Sequence, residues 1–190
     1  MSLATDDPTV RVGVTVTFLR MDHPPADPAP PLPHGAEVKR ERWCSVQQYR
    51  FLYKAVGEQY VWWLRRIMPD QPLAAMLRDP RVSIYVLMLD GVPAGFYELD
   101  RTNWPAVNLS YFGLMPHAIG RGLGYPFLRH AVTTAWGMGP RVMTVNTCTA
   151  DHPRALPTYL RAGFHKVREV KEVWNVPLRL GMPIPERLLV

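Results

Sequence analysis

The chain has 190 residues, of which 47% are hydrophobic, enough to bury one substantial core, so a single domain over residues 1–190 is expected. The formal net charge of +6 and pI near 9.6 favour anionic partners, yet the basic residues are scattered. The densest cluster, Lys39, Arg40 and Arg42, is broken by Glu41, which argues against nucleic acid and leaves a phosphate-rich small molecule as the economical partner.

No apolar run reaches the length of a membrane span, so no membrane partner is expected. Met1 to Val10 carries Asp6 and Asp7 without an apolar stretch, unlike a signal peptide. Cys44 and Cys148 lie far apart and form no metal or redox motif. A cytoplasmic setting and no metal centre are expected.

Val10 to Leu19 alternates with period two and predicts a strand. Residues 24–33 hold so many prolines that only an extended surface loop fits. Ser45 to Ile67 reads mainly helical, with Tyr49, Leu52, Tyr53, Val56 and Tyr60 on one face and Gly57 as a break. Pro72 to Leu77 predicts a short helix that stops before Pro80. Val82 to Leu89 and Val92 to Asp100 predict strands joined by an Asp90-Gly91 hairpin turn, and Val107 to Leu114 a third.

Leu123, Phe127, Leu128, Ala131 and Ala135 then form the face of a helix ending near Gly137. Arg141 to Thr147 predicts a strand. His152-Pro153 opens a helix that carries Tyr159, in which Pro157 should introduce a kink. Lys166 to Val176 predicts the last strand, and residues 177–190 form a proline-interrupted tail of unassigned conformation. The order implies a mixed α/β domain with an antiparallel meander followed by a crossover.

The stretch from Tyr111 to Gly124 ends a strand, turns through glycines and starts a helix. Glycines let backbone N–H groups converge, and the helix N-terminus adds its positive dipole end, so this loop suits a phosphate. The Lys-Ser or Lys-Thr of nucleotide-hydrolase loops is missing, and the glycine spacing differs from the dinucleotide fingerprint.

Gly120-Arg121-Gly122-Leu123-Gly124 resembles the cofactor loop of the GNAT superfamily of N-acetyltransferases. The usual form of that loop is Arg or Gln, two residues, Gly, one residue, then Gly or Ala. Gly122 and Gly124 match, whereas Ile119 stands where Arg or Gln is usual. Asp151 to Phe164 resembles the second GNAT signature through Ala155, Tyr159 and Gly163-Phe164, with His152 in place of the usual Asn. The two stretches occur in the family's order.

The resemblance implies a single-domain GNAT fold, a mixed and mostly antiparallel sheet flanked by helices that splays into a V at the cofactor. It implies acetyl-CoA as donor to an amine, on a small molecule or a peptide. Leu114, Met115, Ile119, Gly120, Arg121, Gly122, Leu123, Gly124 and His152 would contact the cofactor. Tyr159 would be the general acid, since a phenol of pKa about 10 can protonate a thiolate whose acid has a pKa of about 8.5. By its residue chemistry alone, Tyr159 is more simply a core tyrosine.

Glu98, between aromatic and aliphatic neighbours, is the candidate base, set against an exposed strand-edge charge. Glu58, His117 and Asp100 are weaker candidates. Tyr53 to Trp63 and Trp104 are expected to wall the acceptor pocket, set against core packing or a homodimer contact. Two rival functions remain: a non-catalytic acyl-CoA-binding module, and an interaction protein that uses the fold without CoA.

Overall fold

The computed structural model describes residues 7–190, so most of the segment read above for a signal peptide lies outside the described residues. Seven strands form one sheet: β1 (Thr9–Met21), β2 (Ala36–Glu41), β3 (Val82–Leu89), β4 (Val92–Asp100), β5 (Ala106–Leu114), β6 (Val142–Cys148) and β7 (His165–Pro177). The helices are α1 (Val46–Gly57), α2 (Leu64–Ile67), α3 (Asp70–Arg78), α4 (Gly124–Trp136) and α5 (Ala155–Arg161). The sheet order is β2-β3-β4-β5-β6-β1-β7, antiparallel throughout except for the parallel pair β5–β6. This is the mixed sheet flanked by helices that the resemblance implied.

The meander β3-β4-β5 follows from its turn chemistry. Asp90 and Gly91 both adopt positive φ, 50° and 82°, as a two-residue hairpin of the primed type requires. α1 begins where Ser45 caps it, its side chain accepting the Gln48 N–H at 3.1 Å. α1 and α3 cover one face of the meander, where Tyr49, Leu52, Val56 and Leu73 pack on Ile84, Val86, Phe96 and Met115. α4 and α5 cover the other face, packing Phe127, Ala131 and Tyr159 against a cluster that includes Leu99, Leu109 and Val145. The half of the first face that carries Val12, Val14 and Val16 receives Val61 and Leu188 instead of a long helix.

Two readings of the sequence need correction. β2 went unrecognised because only Val38 and Ala36 are apolar in it. It is an edge strand whose lysine, arginine and glutamates discourage further pairing. Pro157 gives no reason for a kink: it is the third residue of α5, inside the first turn, where its missing N–H would have no intrahelical acceptor. The stretch from Ser45 to Ile67 follows its expected course, with the break at Gly57, after which come a short 3₁₀ turn and α2.

The tail gains a form that its sequence did not disclose. Two 3₁₀ turns, Leu178–Leu180 and Glu186–Leu188, bring Leu189 into a bridge with Val12. The proline-rich loop is pinned to α4. Buried Arg129 donates to the Asp27 carboxylate at 2.8 Å and to its carbonyl at 2.7 Å.

β5 pairs with β6 only from Ala106↔Val142 to Leu109↔Val145. Beyond these four rungs the two strands have no rungs in common, and Ser110 to Leu114 borders a V-shaped opening. On its other edge β5 is held close to β4. A Cβ built on Gly95 would lie 2.5 Å from the Gly113 carbonyl oxygen, an atom of the neighbouring backbone. Gly95→Ala should therefore lower stability by about 1–3 kcal/mol through overpacking, read as a lower urea midpoint at unchanged m.

Candidate functional site

A cleft of about 1400 Å³ opens where β5 and β6 part. Its β5 wall runs from Asn108 to Leu114 and its β6 wall includes Asn146 and Cys148. Backbone polarity on β5 follows from the pairing. The Met115 N–H donates to the Ala94 carbonyl at 2.8 Å, on the β4 side, so by strand alternation the N–H groups of Phe112 and Leu114 point away from β4, into the opening.

The glycine loop borders the same cleft through Ile119, Gly120, Gly122, Leu123 and Gly124. Gly120 and Gly122 have φ of 82° and 73°, and a Cβ at either would meet open space, so conformation and not crowding calls for glycine there. The backbone N–H groups from Gly120 to Tyr125 have no acceptor among the described residues. With the dipole of α4 behind them, these donors form a cradle for a phosphate group.

Tyr159 reaches the cleft from α5 and is buried between Phe112 and Phe164, at ring-centroid distances of 6.3 and 5.9 Å. Its hydroxyl has no hydrogen-bond partner among the described residues. Burial, with a smaller contribution from Asp151, pushes the phenol well above its ordinary pKa, so it stays protonated.

Asp151, which sequence reasoning did not single out, ties the opening together. Its Oδ2 accepts from the Thr147 hydroxyl at 2.7 Å and the Cys148 N–H at 2.8 Å, while Oδ1 accepts from Trp62 Nε1 at 3.3 Å. The carboxylate thereby links the β6–α5 turn to the segment after α1, across the sheet opening. A polar residue just after a strand was the only signal for it. Val61 sets that segment's path. It is a buried β-branched residue at φ 57°, held in the left-handed region by its packing, and it turns the chain between Tyr60 and Trp62.

The segment that follows brings Trp62, Trp63, Leu64, Arg65 and Met68 into the cleft wall with Tyr53 and Tyr60. Trp104, expected there, is instead half exposed in the β4–β5 turn at the far end of β5, outside the cleft.

Glu98 lies behind this wall. Its side chain is on the α1 face beside Phe96, fully buried, and does not line the cleft. It accepts from the Tyr49 hydroxyl at 2.5 Å and from Arg65 Nη2 at 3.1 Å. Burial raises its pKa against the opposing pull of Arg65 and Tyr49. Arg65, missed in the sequence, does line the cleft, with its guanidinium 5.4 Å from the centre of the Tyr111 ring.

The remaining expected residues divide. His152 lines the cleft, and its Nδ1 accepts the Arg154 N–H at 3.1 Å, which orients the ring. Met115 is buried in the α1-side cluster with its amide engaged, and Arg121 is exposed outside the cleft lining. His117, Glu58 and Asp100 do not line the cleft either. Tyr125 and Arg161, also missed, do; the Arg161 guanidinium lies 3.9 Å from the Tyr125 ring centre.

The model of the acetyltransferase (GNAT) family matches residues 49–164, more than half of the chain and all of the loop and α5 just described. The chain belongs to the GNAT acetyltransferase family. Solved GNAT structures share the fold. A GCN5-related N-acetyltransferase from Sphaerobacter thermophilus is 18% identical at a TM-score of 0.63, over 89% of this chain and 53% of that one.

A GCN5-related N-acetyltransferase from Kribbella flavida is 17% identical at a TM-score of 0.58, over 87% and 60%. A tandem GNAT protein from the clavulanic acid biosynthesis pathway is 17% identical at a TM-score of 0.63, over 88% and 55%. The chain thus spans between about half and two thirds of the length of these structures. No curated protein is matched significantly by the sequence. GNAT enzymes generally use acetyl-CoA as co-substrate, and the unbonded amides and open glycine turn fit such a group. No described helix is long and apolar enough to cross a membrane.

Removing the Glu98 side chain would leave Arg65 and Tyr49 without their shared acceptor. Glu98→Ala should cost about 3 kcal/mol, whereas Glu98→Gln, which keeps one oxygen for Arg65 and can turn its amide N–H to the Tyr49 hydroxyl as acceptor, should cost less. Urea denaturation of the two variants beside wild type checks the difference.

Proposed function

We propose that this chain is an acetyl-CoA-dependent N-acetyltransferase, which moves the acetyl group from coenzyme A to an amine on a small molecule or a peptide. The observation that carries the reading is the parting of β5 from β6. It leaves unpaired amides at Phe112 and Leu114 facing a buried tyrosine, beside a glycine loop of free N–H groups.

In this reading the amides from Gly120 to Tyr125 hold the pyrophosphate, with Ile119 contributing its backbone and not a charged side chain. Leu114 binds the pantetheine arm by its main chain, and Phe112 or Leu114 N–H polarises the thioester carbonyl as charge builds on oxygen. His152 borders the same arm from the α5 side. The neighbouring Met115 and Arg121 serve through backbone placement of the strand end and of the loop.

Bound acetyl-CoA supplies the activated acyl group: the amine nitrogen bonds to its carbonyl carbon, the carbon–sulfur bond breaks, and sulfur leaves with the electron pair. Tyr159, kept protonated by burial, gives its proton to that sulfur. The amine must arrive neutral, and once its nitrogen has bonded to the carbonyl carbon it loses one proton to water in the open cleft. Tyr159 regains a proton from the same solvent. Glu98, sealed behind Arg65 and Tyr49, acts as a positioning residue for Arg65 and not at the reacting atoms.

Two variants test this. Gly122→Glu places a carboxylate in the phosphate cradle at a positive-φ position, and should abolish the acetyl-CoA binding that calorimetry detects for wild type. Tyr159→Phe should keep that binding and lower kcat by roughly 10²-fold in a thiol-release assay with an amine acceptor. Binding without turnover of any amine by wild type would point to the non-catalytic module. No binding by the folded wild type would sink the enzyme reading.

A further inference from the structure

The acceptor side of the cleft carries one carboxylate that the fold leaves unspent. Three carboxylates stand in or just behind the cleft: Glu98, Asp151 and Glu172. Glu98 is buried and neutralised by Arg65. Asp151 uses both oxygens on Thr147, Cys148 and Trp62. Glu172 on β7 is half-buried and accepts one hydrogen bond, from Trp174 Nε1 to Oε2 at 2.7 Å. Its Oε1 has no partner among the described residues.

Trp174 fixes this carboxylate and lines the cleft beside it. Trp63 packs against the same valine cluster, on the face that bears Val12, Val14 and Val16. A carboxylate held by one indole N–H, in a cleft that Trp63 also lines, suits an organic cation, through charge pairing and through the electron-rich ring faces. The nearby positive charges lie on other walls or have partners of their own. Arg65 is paired with Glu98. Arg168 lies over the Phe18 ring at 4.5 Å, outside the cleft lining, and Arg154 and Arg161 border the cleft from the α5 side. The other polar groups on the strand floor, Asn108, Ser110 and Asn146, are neutral.

The register fixes how far this group sits from the opening. Val16 pairs with Cys148 on β6 and with Val170 on β7, and Glu172 lies two residues beyond Val170. Two strand spacings across and two residues along place the Glu172 backbone about 12 Å from that of Cys148. Resting on the acetyltransferase reading above, we infer that Glu172 and Trp174 form a subsite for a second, cationic group of the acceptor. The acceptor is then a diamine-like molecule whose reacting nitrogen enters the opening as the neutral amine while its distal ammonium sits at Glu172.

Calorimetry in the presence of coenzyme A tests this with 1,8-diaminooctane, whose nitrogens span a comparable distance, against octylamine. Wild type should bind the diamine at least about tenfold more tightly than the monoamine, Glu172→Gln should lose that preference, and Glu172→Asp should keep part of it. Equal affinity for the two amines in wild type, or a preference that Glu172→Gln retains, would overturn the subsite alone. Failure of folded wild type to bind acetyl-CoA would overturn the acetyltransferase reading and this proposal with it.

Discussion

β5 and β6 run side by side for four rungs and then separate, and every feature of the site depends on that separation. An interior strand of a sheet normally has its backbone satisfied on both edges. Here the end of β5 keeps its partner β4 on one side and has none on the other. Unpaired backbone donors are costly when buried and useful when a ligand supplies the acceptor. The cleft puts them at its wall, where a thioester carbonyl can take the place of a neighbouring strand.

The opening would close or fray without bracing from both faces. On the α1 side, Val61 is held in a strained conformation so that Trp62 can reach Asp151 and pack against Tyr53, Phe96 and Tyr111. Arg65, drawn in by Glu98, continues this wall. On the α4 side, Phe112 and Leu114 turn into the core that Phe127 and Tyr159 share. One strand end thus has side chains anchored on both faces and a backbone edge left free. Rigidity on the faces and vacancy on the edge are what a binding strand requires.

Local signals carried the sequence reading as far as local physics extends. The Asp90-Gly91 turn, the helix face from Leu123 to Ala135 and the glycine loop are each written within a dozen residues, and the fold has all three. What stayed hidden was non-local. Nothing in Thr9–Met21 says that it inserts between β6 and β7, because the partners lie more than a hundred residues away. β2 hid behind its charges. Arg65 gave no signal and Asp151 only a weak one, because their importance comes from partners that only the fold assembles. Glu98 was legible as a carboxylate among apolar neighbours, but not as one enclosed by Tyr49 and Arg65. Trp104 looked like Trp62 and Trp63 in kind and differs only in which end of β5 it occupies.

The central claim is that acetyl-CoA occupies the gap between β5 and β6 and bonds to backbone that the sheet leaves free. Amide hydrogen exchange with and without acetyl-CoA addresses it most directly. The account predicts slowed exchange at Phe112 and Leu114 and from Gly120 to Tyr125, with little change at Met115, whose N–H is already bonded to Ala94. Protection confined to other parts of the chain, or no protection at saturating acetyl-CoA, would contradict it.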